Sequence, residues 1–365
     1  MKKKFQNNKL DNLNSSKIGI LGGGQLGKMI AESAKKLGYQ TILYCPPGDN
    51  PAENVVNEYI SGSWTNIKKI NEFSRKTAVV TSEFENIPEN VLDLISKKTM
   101  VNPSSYCFKI AQFRNKEKIL ASKAGFLVPK WFRIKSIKEL KKYSNDLNYN
   151  CILKTNSQGY DGKGQKVITN NSDLNKIWEE INFKDCVLEE KIKFDREISI
   201  LYARSLDGSQ CFFPISENQH ENGILRKTIA PISLNKKLKN ELKIKVKKFA
   251  DLINLNGILT IELFEYKEKI IFNEIAPRPH NSYHWTIEGC KYSQFDILVK
   301  CLFGQKISTQ KVEKRWAMIN LLGDEINNLD KCNYHSKQRI HIYGKNEIKK
   351  GRKMGHITYP LERLN

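Results

Sequence analysis

The stretch that decides the reading is Gly257–Trp285, GILTIELFEYKEKIIFNEIAPRPHNSYHW. Two β-rich runs, Ile258–Tyr266 and Ile270–Ile275, flank the polar turn Lys267-Glu268-Lys269, a hairpin signature. Glu262 and Glu274 stand equally far from residue 268 and so fall opposite each other across that turn. Side chains alternate along a strand, so both carboxylates leave the same face. Opposed like charges destabilise a strand pair unless a cation lies between them. Hard oxygen donors of this kind, with Asn273 beside Glu274, suit Mg²⁺ held jointly with substrate phosphates. A solvent-facing hairpin, where Glu is common, is the alternative, and a register slip of one residue would separate the pair. Pro277-Arg278-Pro279-His280-Asn281 follows, too rigid and too functionalised for a plain exit loop. It favours metal, phosphate and anion chemistry.

A chain of 365 residues has room for two or three domains, and 39% hydrophobic residues supply their cores. No apolar run approaches membrane-spanning length. The opening MKKKFQNNKLDNLNSSK is basic but lacks the apolar centre of a secretory signal, so residues 1–16 are expected to form a solvated tail. The net charge of +22 raises nucleic-acid binding as a hypothesis. The lysines, however, recur in nearly every segment, including the helical face of Leu234–Lys248, rather than in one stripe interleaved with aromatics. Diffuse charge that attracts small anions is expected, with no nucleic acid and no membrane as partner. Eight cysteines stand alone without a CxxC, which gives neither a zinc site nor a redox pair and favours a cytoplasmic location.

Lys17–Leu21 reads as a strand that runs into Gly22-Gly23-Gly24-Gln25-Leu26-Gly27, then a helix to Leu37 and a strand Thr41–Cys45, a βαβ unit. Glycines at 22, 24 and 27 fit GxGxxG, whose amides at a helix N-terminus suit phosphate. A dinucleotide site needs an acid at the end of the second strand. Tyr44-Cys45-Pro46-Pro47 has none and Asp49 arrives late, so a phosphomonoester is expected there in place of NAD. A tight turn with no ligand is the other reading. Strand Thr77–Thr81 ends at Glu83-Phe84-Glu85-Asn86, on the side where open α/β sheets bind ligands. Either acid is equally explained as a helix-start residue before Pro88.

A helix Arg114–Ala124 stops at Gly125 and opens a second domain. Strands Cys151–Thr155 and Gln165–Thr169 are joined by a loop containing Gly159-Tyr160-Asp161-Gly162-Lys163-Gly164. That loop is no P-loop. Its amides, with Lys154 and Lys163, suit a lid over phosphates, against an ordinary flexible hairpin. His220 falls in a polar loop before Ile224–Thr228. His280 and His284 have the spacing of a helical zinc pair, but the neighbouring prolines tell against a helix. Past Gly304 comes a small β-rich domain with Met318–Gly323, Arg339–Tyr343 and the basic turn Lys350–His356, which taken alone reads as a solvated hairpin.

In this order the segments resemble the ATP-grasp ligases and, within them, the N5-carboxyaminoimidazole ribonucleotide synthetases of purine biosynthesis. The likeness runs from about Lys17 to Thr358 and rests on residues 22–27, Gly159–Gln165 (GYDGKGQ), His220–Leu225 (HENGIL) and Asn273–Trp285. Asn-Glu-x-Ala-Pro-Arg-Pro-His is shared with the formate-using glycinamide ribonucleotide transformylases. Asn281-Ser282 with His284-Trp285, and Gly351-Arg352-Lys353 with Gly355-His356, are much more specific to the carboxylases.

The resemblance implies an α/β and α+β multidomain ATP-grasp fold. A Rossmann-like parallel-sheet domain over 17–113 would precede an ATP-grasp domain over 114–308 (lid about 114–190) and a small domain over 309–365. It implies that ATP phosphorylates bicarbonate and that the carboxyphosphate, or CO₂ from it, carboxylates aminoimidazole ribonucleotide. Mg²⁺ would sit on Glu262 and Glu274, and a homodimer is expected. Arg114, Lys154, Lys163 and the Gly159, Gly162 and Gly164 lid would serve ATP phosphates, together with Asn273 and Glu274. Glu189, Glu190, Lys191 and Ile192 would meet adenine through the backbone, Glu197 the ribose, and His220 the nucleotide. Gly24, Gln25, Leu26, Glu83 or Glu85, and Arg352 would bind the ribonucleotide. Tyr160, Asp161, Lys163, Arg278, His280 and Lys353 would be catalytic. Other ATP-grasp ligases, a non-catalytic nucleotide-binding homologue and a basic RNA-binding protein are the competing readings.

Three departures from the family pattern stand out. Asn156-Ser157-Gln158 replaces a run with Arg and Gly, Phe113 stands where Asp is usual, and Tyr283 stands where Gly is usual. The last tells against a close backbone approach there.

Overall fold

The computed structural model describes residues 17–159, 164–182 and 184–363. Tyr160, Asp161, Gly162 and Lys163 of the expected lid lie outside them. The first sheet is parallel: β1 (Ile18–Leu21), β2 (Thr41–Cys45), β3 (Glu58–Ser61), β4 (Val79–Ser82) and β5 (Met100–Val101), ordered β3-β2-β1-β4-β5. Strands β1, β2 and β4 are buried at every position because helices cover both faces. Ile18 and Ile20 pack with Met29 and Ile30 of α1 (Gln25–Lys36). Leu21, Ile42 and Tyr44 pack with α2 (Ile67–Lys76), α3 (Glu89–Ser96) and α4 (Ser105–Ala111).

After α5 (Arg114–Ala124) comes an antiparallel sheet of β6 (Trp131–Ile134), β7 (Cys151–Thr155), β8 (Gln165–Ile168) and β9 (Cys186–Glu190), ordered β6-β9-β7-β8. Its core of Leu140, Leu153, Trp178 and Leu188 joins it to α6 (Ile137–Asp146) and α7 (Leu174–Glu180).

The central sheet contains β10 (Arg196–Arg204), β11 (Gln210–Phe212), β12 (Ser216–Glu221), β13 (Ile224–Ala230), β14 (Gly257–Tyr266) and β15 (Lys269–Ala276). The segment past Gly304 supplies β16 (Lys314–Leu322), β17 (Arg339–Ile342) and β18 (Lys353–Arg363). The order is β15-β14-β10-β12-β13-β16-β18-β17, with β11 on β10, so the last three strands extend this sheet through β13. Helix α8 (Lys236–Leu252) buries Leu242, Val246, Phe249 and Ala250, a helical stripe, against Ile200, Leu259 and Ile261. Cutting Leu242 to Ala would cost about 2–5 kcal/mol.

After the short α9 (Thr286–Gly289), Ser293 and Asp296 form a capping box on α10 (Gln294–Leu302). Asp296 also accepts from Ser33 Oγ at 2.8 Å and Lys36 Nζ at 3.1 Å. Those two bonds fasten the parallel sheet's α1 to the central unit. Among the described residues no helix is long and apolar enough to cross a membrane.

Candidate active site

The β14–β15 hairpin turns through Lys267-Glu268, both at positive φ (46° and 60°), with Tyr266 paired to Lys269. That is one residue tighter than the sequence suggests. A regular ladder from this turn, through Leu263 opposite Phe272, would set Asn273 against Glu262. A bulge between Glu262 and Leu263 shifts the register, and Glu262 faces Glu274 after all. Bulges re-aim side chains beside active sites. The carboxylate pair owes its place to the bulge, not to turn length.

Two sets of charged groups flank the pair in one cleft of about 1190 Å³. On one side Arg114 Nη1 donates to Glu274 Oε2 at 2.9 Å. The buried Glu189 bridges Lys118 and Lys154, each at 3.2 Å. Burial would raise the Glu189 carboxyl, but Lys118, Lys154 and Arg114 hold it at about 2. Burial lowers Lys154, with Arg114 and Lys118 adding to it in spite of Glu189. Glu117, also buried, accepts the Ile275 amide at 3.2 Å. Burial, with Glu274 adding to it, pushes Glu117 up to about 8 although Arg114 opposes. A neutral Glu117 leaves Arg114, Lys118 and Lys154 against Glu189 and Glu274, one positive charge in surplus, and Arg114 and Lys154 present it to the cleft.

Further along this face Glu197 of β10 pairs with His220 Nδ1 at 2.7 Å. Burial works against a charged His220, but Glu197 and Glu262 outweigh it and raise its pKa. His220 therefore lies on strand β12, not in the expected polar loop. The segment is a strand whose inward residues are polar but paired: Asn218 donates to Ser199 Oγ and accepts from Thr228 Oγ1. Of the expected adenine-binding run, Glu189 turns its side chain to the lysines. The amides of Glu190 and Lys191 donate to the carbonyls of Lys130 and Asn150, each at 2.9 Å. Glu190, Lys191 and Ile192 do not line the cleft.

On the other side His280 Nε2 meets Glu262 Oε1 at 2.9 Å. The Ser282 amide and hydroxyl both face His280 Nδ1, which makes Nδ1 the acceptor and points the Nε2 proton at Glu262. Burial would raise Glu262, but His280, then His220 and Lys353, hold it well below the usual carboxylate range. Arg278 grips Glu85 through Nε and Nη2, a bidentate pair. Glu83 accepts from the amides of Gly24 (2.6 Å) and Gly27 (2.9 Å). Two of the amides expected to hold a phosphate, those of Gly24 and Gly27, are thus already taken by a carboxylate. Gln25, Leu26, Glu83 and Glu85 still line the cleft.

Taken alone the basic turn reads as a solvated hairpin, whereas the resemblance puts Arg352 and Lys353 in the site; both line this cleft beside Lys345. Lys345 donates to the Lys353 carbonyl at 2.7 Å. Burial, with Arg352 and Lys353 close by, pushes its ammonium down to about 8. The sequence reading missed Lys345, Lys118 and Glu117. The last two stand one turn along α5 from Arg114, a signal the sequence does contain.

Two departures from the family pattern compensate each other. Phe113 gives α5 no side-chain cap, but Asn156 Oδ1 accepts the Asn115 amide at 3.1 Å and Asn156 O accepts that of Arg114 at 2.9 Å. Tyr283 points away from the cleft. Fully buried, its hydroxyl accepts from the Leu201 amide at 3.0 Å and donates to the Ser199 carbonyl at 2.8 Å.

The donor chemistry fits a divalent cation. Glu262 and Glu274 are hard oxygen donors on one face, and their pair contacts to His280 and Arg114 each engage one oxygen. Among the described residues no group of three or more His, Cys, Asp or Glu would hold a metal unaided. Phosphate oxygens of a substrate would complete the shell.

Comparison with known proteins agrees with this geometry. Residues 119–295 match the ATP-grasp domain, residues 15–112 the ribonucleotide synthetase preATP-grasp domain, and residues 317–364 the phosphoribosylaminoimidazole carboxylase C-terminal domain. The fold and the cleft are those of an ATP-grasp ligase. An N5-carboxyaminoimidazole ribonucleotide synthase of Staphylococcus aureus is 39% identical over 351 residues, covering 95% of this chain and 93% of that protein. The chain belongs to the N5-carboxyaminoimidazole ribonucleotide synthase family. It is also 38% identical to a bifunctional purine synthesis protein of Dictyostelium discoideum, of whose length it spans 37%. The crystal structure of the Staphylococcus aureus synthetase complexed with ADP superposes with a TM-score of 0.90, at 38% identity over 95% of this chain and 93% of that one. The Aspergillus clavatus synthase in complex with ADP and 5-aminoimidazole ribonucleotide gives 0.85, at 25% identity over 96% and 94%.

Proposed function

We propose that this chain carboxylates 5-aminoimidazole ribonucleotide, using ATP and bicarbonate and releasing ADP and phosphate. The observation that carries the reading is the position of Glu262 and Glu274. They stand between Arg114 and Lys154 on one side and Arg278, His280, Lys345, Arg352 and Lys353 on the other, all in one cleft. Three anions must meet there, and preorganised cations offset their repulsion and the charge that develops in transfer.

In this reading Lys154 and Arg114 take ATP phosphates and Glu197 with His220 takes the nucleoside end. Mg²⁺ on Glu262 and Glu274 would neutralise phosphate charge as transfer proceeds. The ribonucleotide lies against Gln25, Leu26 and Glu83, with its 5′-phosphate on Lys345, Arg352 and Lys353. This placement follows from charge: the glycine-loop amides face a carboxylate, whereas those three cations converge. Bicarbonate oxygen attacks the γ-phosphorus and ADP leaves. The 5-amino nitrogen then attacks the carboxyphosphate carbon, the carbon–oxygen bond to phosphate breaks, and the departing phosphate takes the nitrogen's proton, while His280 holds Glu262 in place. Arg278, fixed by Glu85, faces the carboxyl group.

The test is ADP release with and without each substrate. Aminoimidazole ribonucleotide plus bicarbonate should stimulate it strongly, and glycinamide ribonucleotide plus formate should not. Preference for the second pair would overturn the assignment.

A further inference from the structure

We propose that Asp49 is a positioning residue: from the parallel-sheet domain its carboxylate holds the 345–352 loop in the shape that receives the ribonucleotide 5′-phosphate. The inference rests on the phosphate placement proposed above. Asp49 lies just past β2, where a dinucleotide-binding protein would place its ribose acid, but a few residues too late for that role. Its partners are nearly 300 positions away. The Asn346 amide donates to both carboxylate oxygens at 3.0 and 3.1 Å, the Glu347 amide donates to Oδ2 at 3.3 Å, and Arg352 Nη1 donates to Oδ2 at 2.7 Å.

The loop closes around that point. Arg352 Nη1 also donates to the Glu347 carbonyl at 2.8 Å, and the Arg352 amide donates to Lys349 O at 2.9 Å. A second tie comes from α1, where Lys28 Nζ donates to the carbonyls of Ile342 and Tyr343 at 3.3 and 3.2 Å. The segment carrying Asp49 is itself held to the glycine loop, since the Ala52 amide donates to Gly23 O at 2.9 Å. One carboxylate therefore joins the substrate-facing glycine loop to the basic loop across the cleft mouth.

The charge arrangement gives the contact a purpose beyond packing. Lys345, Arg352 and Lys353 repel one another when no phosphate is present, and a fixed anion behind Arg352 offsets that repulsion. Partial burial works to raise the Asp49 carboxyl, but the Asn346 and Glu347 amides and Arg352 outweigh it and keep it below its usual range. The anion is thus present throughout the neutral range. Preorganising the three cations lowers the ordering cost of binding a dianion.

The experiment uses the full chain with Asp49→Ala and, separately, Lys345→Ala. Michaelis constants for ATP and the ribonucleotide are measured, with binding of the phosphate-free aminoimidazole ribonucleoside. Loss of charge-assisted hydrogen bonds should raise the ribonucleotide KM of Asp49→Ala at least about tenfold. Its KM for ATP and its affinity for the ribonucleoside should stay within about twofold of the parent. If Lys345→Ala leaves the ribonucleotide KM unchanged, the phosphate placement is wrong and the Asp49 role falls with it. If Lys345→Ala raises that KM and Asp49→Ala does not, the placement stands and the Asp49 role is overturned. Parallel losses for ATP, ribonucleotide and ribonucleoside would reduce Asp49 to a folding contact and also overturn the proposal. Should Asp49→Ala not fold, Asp49→Asn keeps the shape without the charge and is read by the same split.

Discussion

Glu83 closes the glycine loop by accepting the Gly24 amide at 2.6 Å, although 59 residues separate the two in sequence. A Cβ at Gly24 would lie 2.6 Å from Glu83 Oε1. The backbone there is extended, with φ at −75°, so a larger residue meets no conformational penalty and only this contact resists it. Gly24→Val should destabilise the fold by about 1–3 kcal/mol, the usual cost of overpacking. It should also raise the ribonucleotide KM well above any change for ATP. Urea unfolding and steady-state kinetics check both, and equal effects on the two substrates would contradict the placement of the loop.

Glu117 predicts how stability varies with pH. Its folded pKa of about 8 lies above the ordinary value of 4.5, because burial and Glu274 outweigh Arg114. Between those two values the folded state binds the extra proton, so this group's contribution falls as pH rises from about 4.5 and is fully lost above about 8. Glu117→Gln keeps an acceptor for the Ile275 amide and removes the titration. The variant should be more stable than the parent at pH 9, by about 2–4 kcal/mol, with the gap shrinking toward pH 5. Denaturation at pH 5, 7 and 9 reads it, and a pH-independent gap would count against the assignment.

Lys345 makes a separate prediction in the alkaline range. With its folded pKa lowered to about 8, the ligand-free site loses a cation as pH rises past that value. The ribonucleotide KM should climb above pH 8, by up to about tenfold per unit, while the ATP KM does not follow. Lys345→Met should already have the high KM at pH 7 and a flat profile beyond. A parent enzyme whose ribonucleotide KM stays level to pH 9.5 would remove Lys345 from the phosphate site.

The sequence shows local pattern and hides what distant segments do to each other. The Gly22–Gly27 turn, the Arg114–Ala124 helix and the Glu262/Glu274 pair are all legible from spacing and strand alternation. The pair is right for a partly wrong reason, because the turn is shorter than expected and the bulge restores the register. Glu83 reverses the chemistry expected of the glycine loop, and nothing near residue 24 announces it. His220 reads as a loop residue because Asn218 looks solvent-facing, whereas Ser199 and Thr228 satisfy it inside the sheet. Lys345 opens the charged run 345–353 (KNEIKKGRK), which reads as solvated, and only the fold turns it with Arg352 and Lys353 into the cleft. The continuity of β13 with β16 likewise joins residues about 90 apart, beyond any local signal.

The central claim is that Glu262 and Glu274 would hold Mg²⁺ together with substrate phosphates, and Glu274→Gln tests it most directly. The change keeps the shape and an acceptor for Arg114 but removes the charge that faces both Glu262 and Arg114, so the stability of the unliganded protein is measured alongside and the test is read from catalysis. The measurement is ADP release in the presence of aminoimidazole ribonucleotide and bicarbonate across a magnesium titration. The account predicts a fall of at least about a hundredfold, since charge stabilisation by a metal is worth several kcal/mol, with partial recovery at high magnesium. Near-normal turnover with an unchanged magnesium dependence would contradict it.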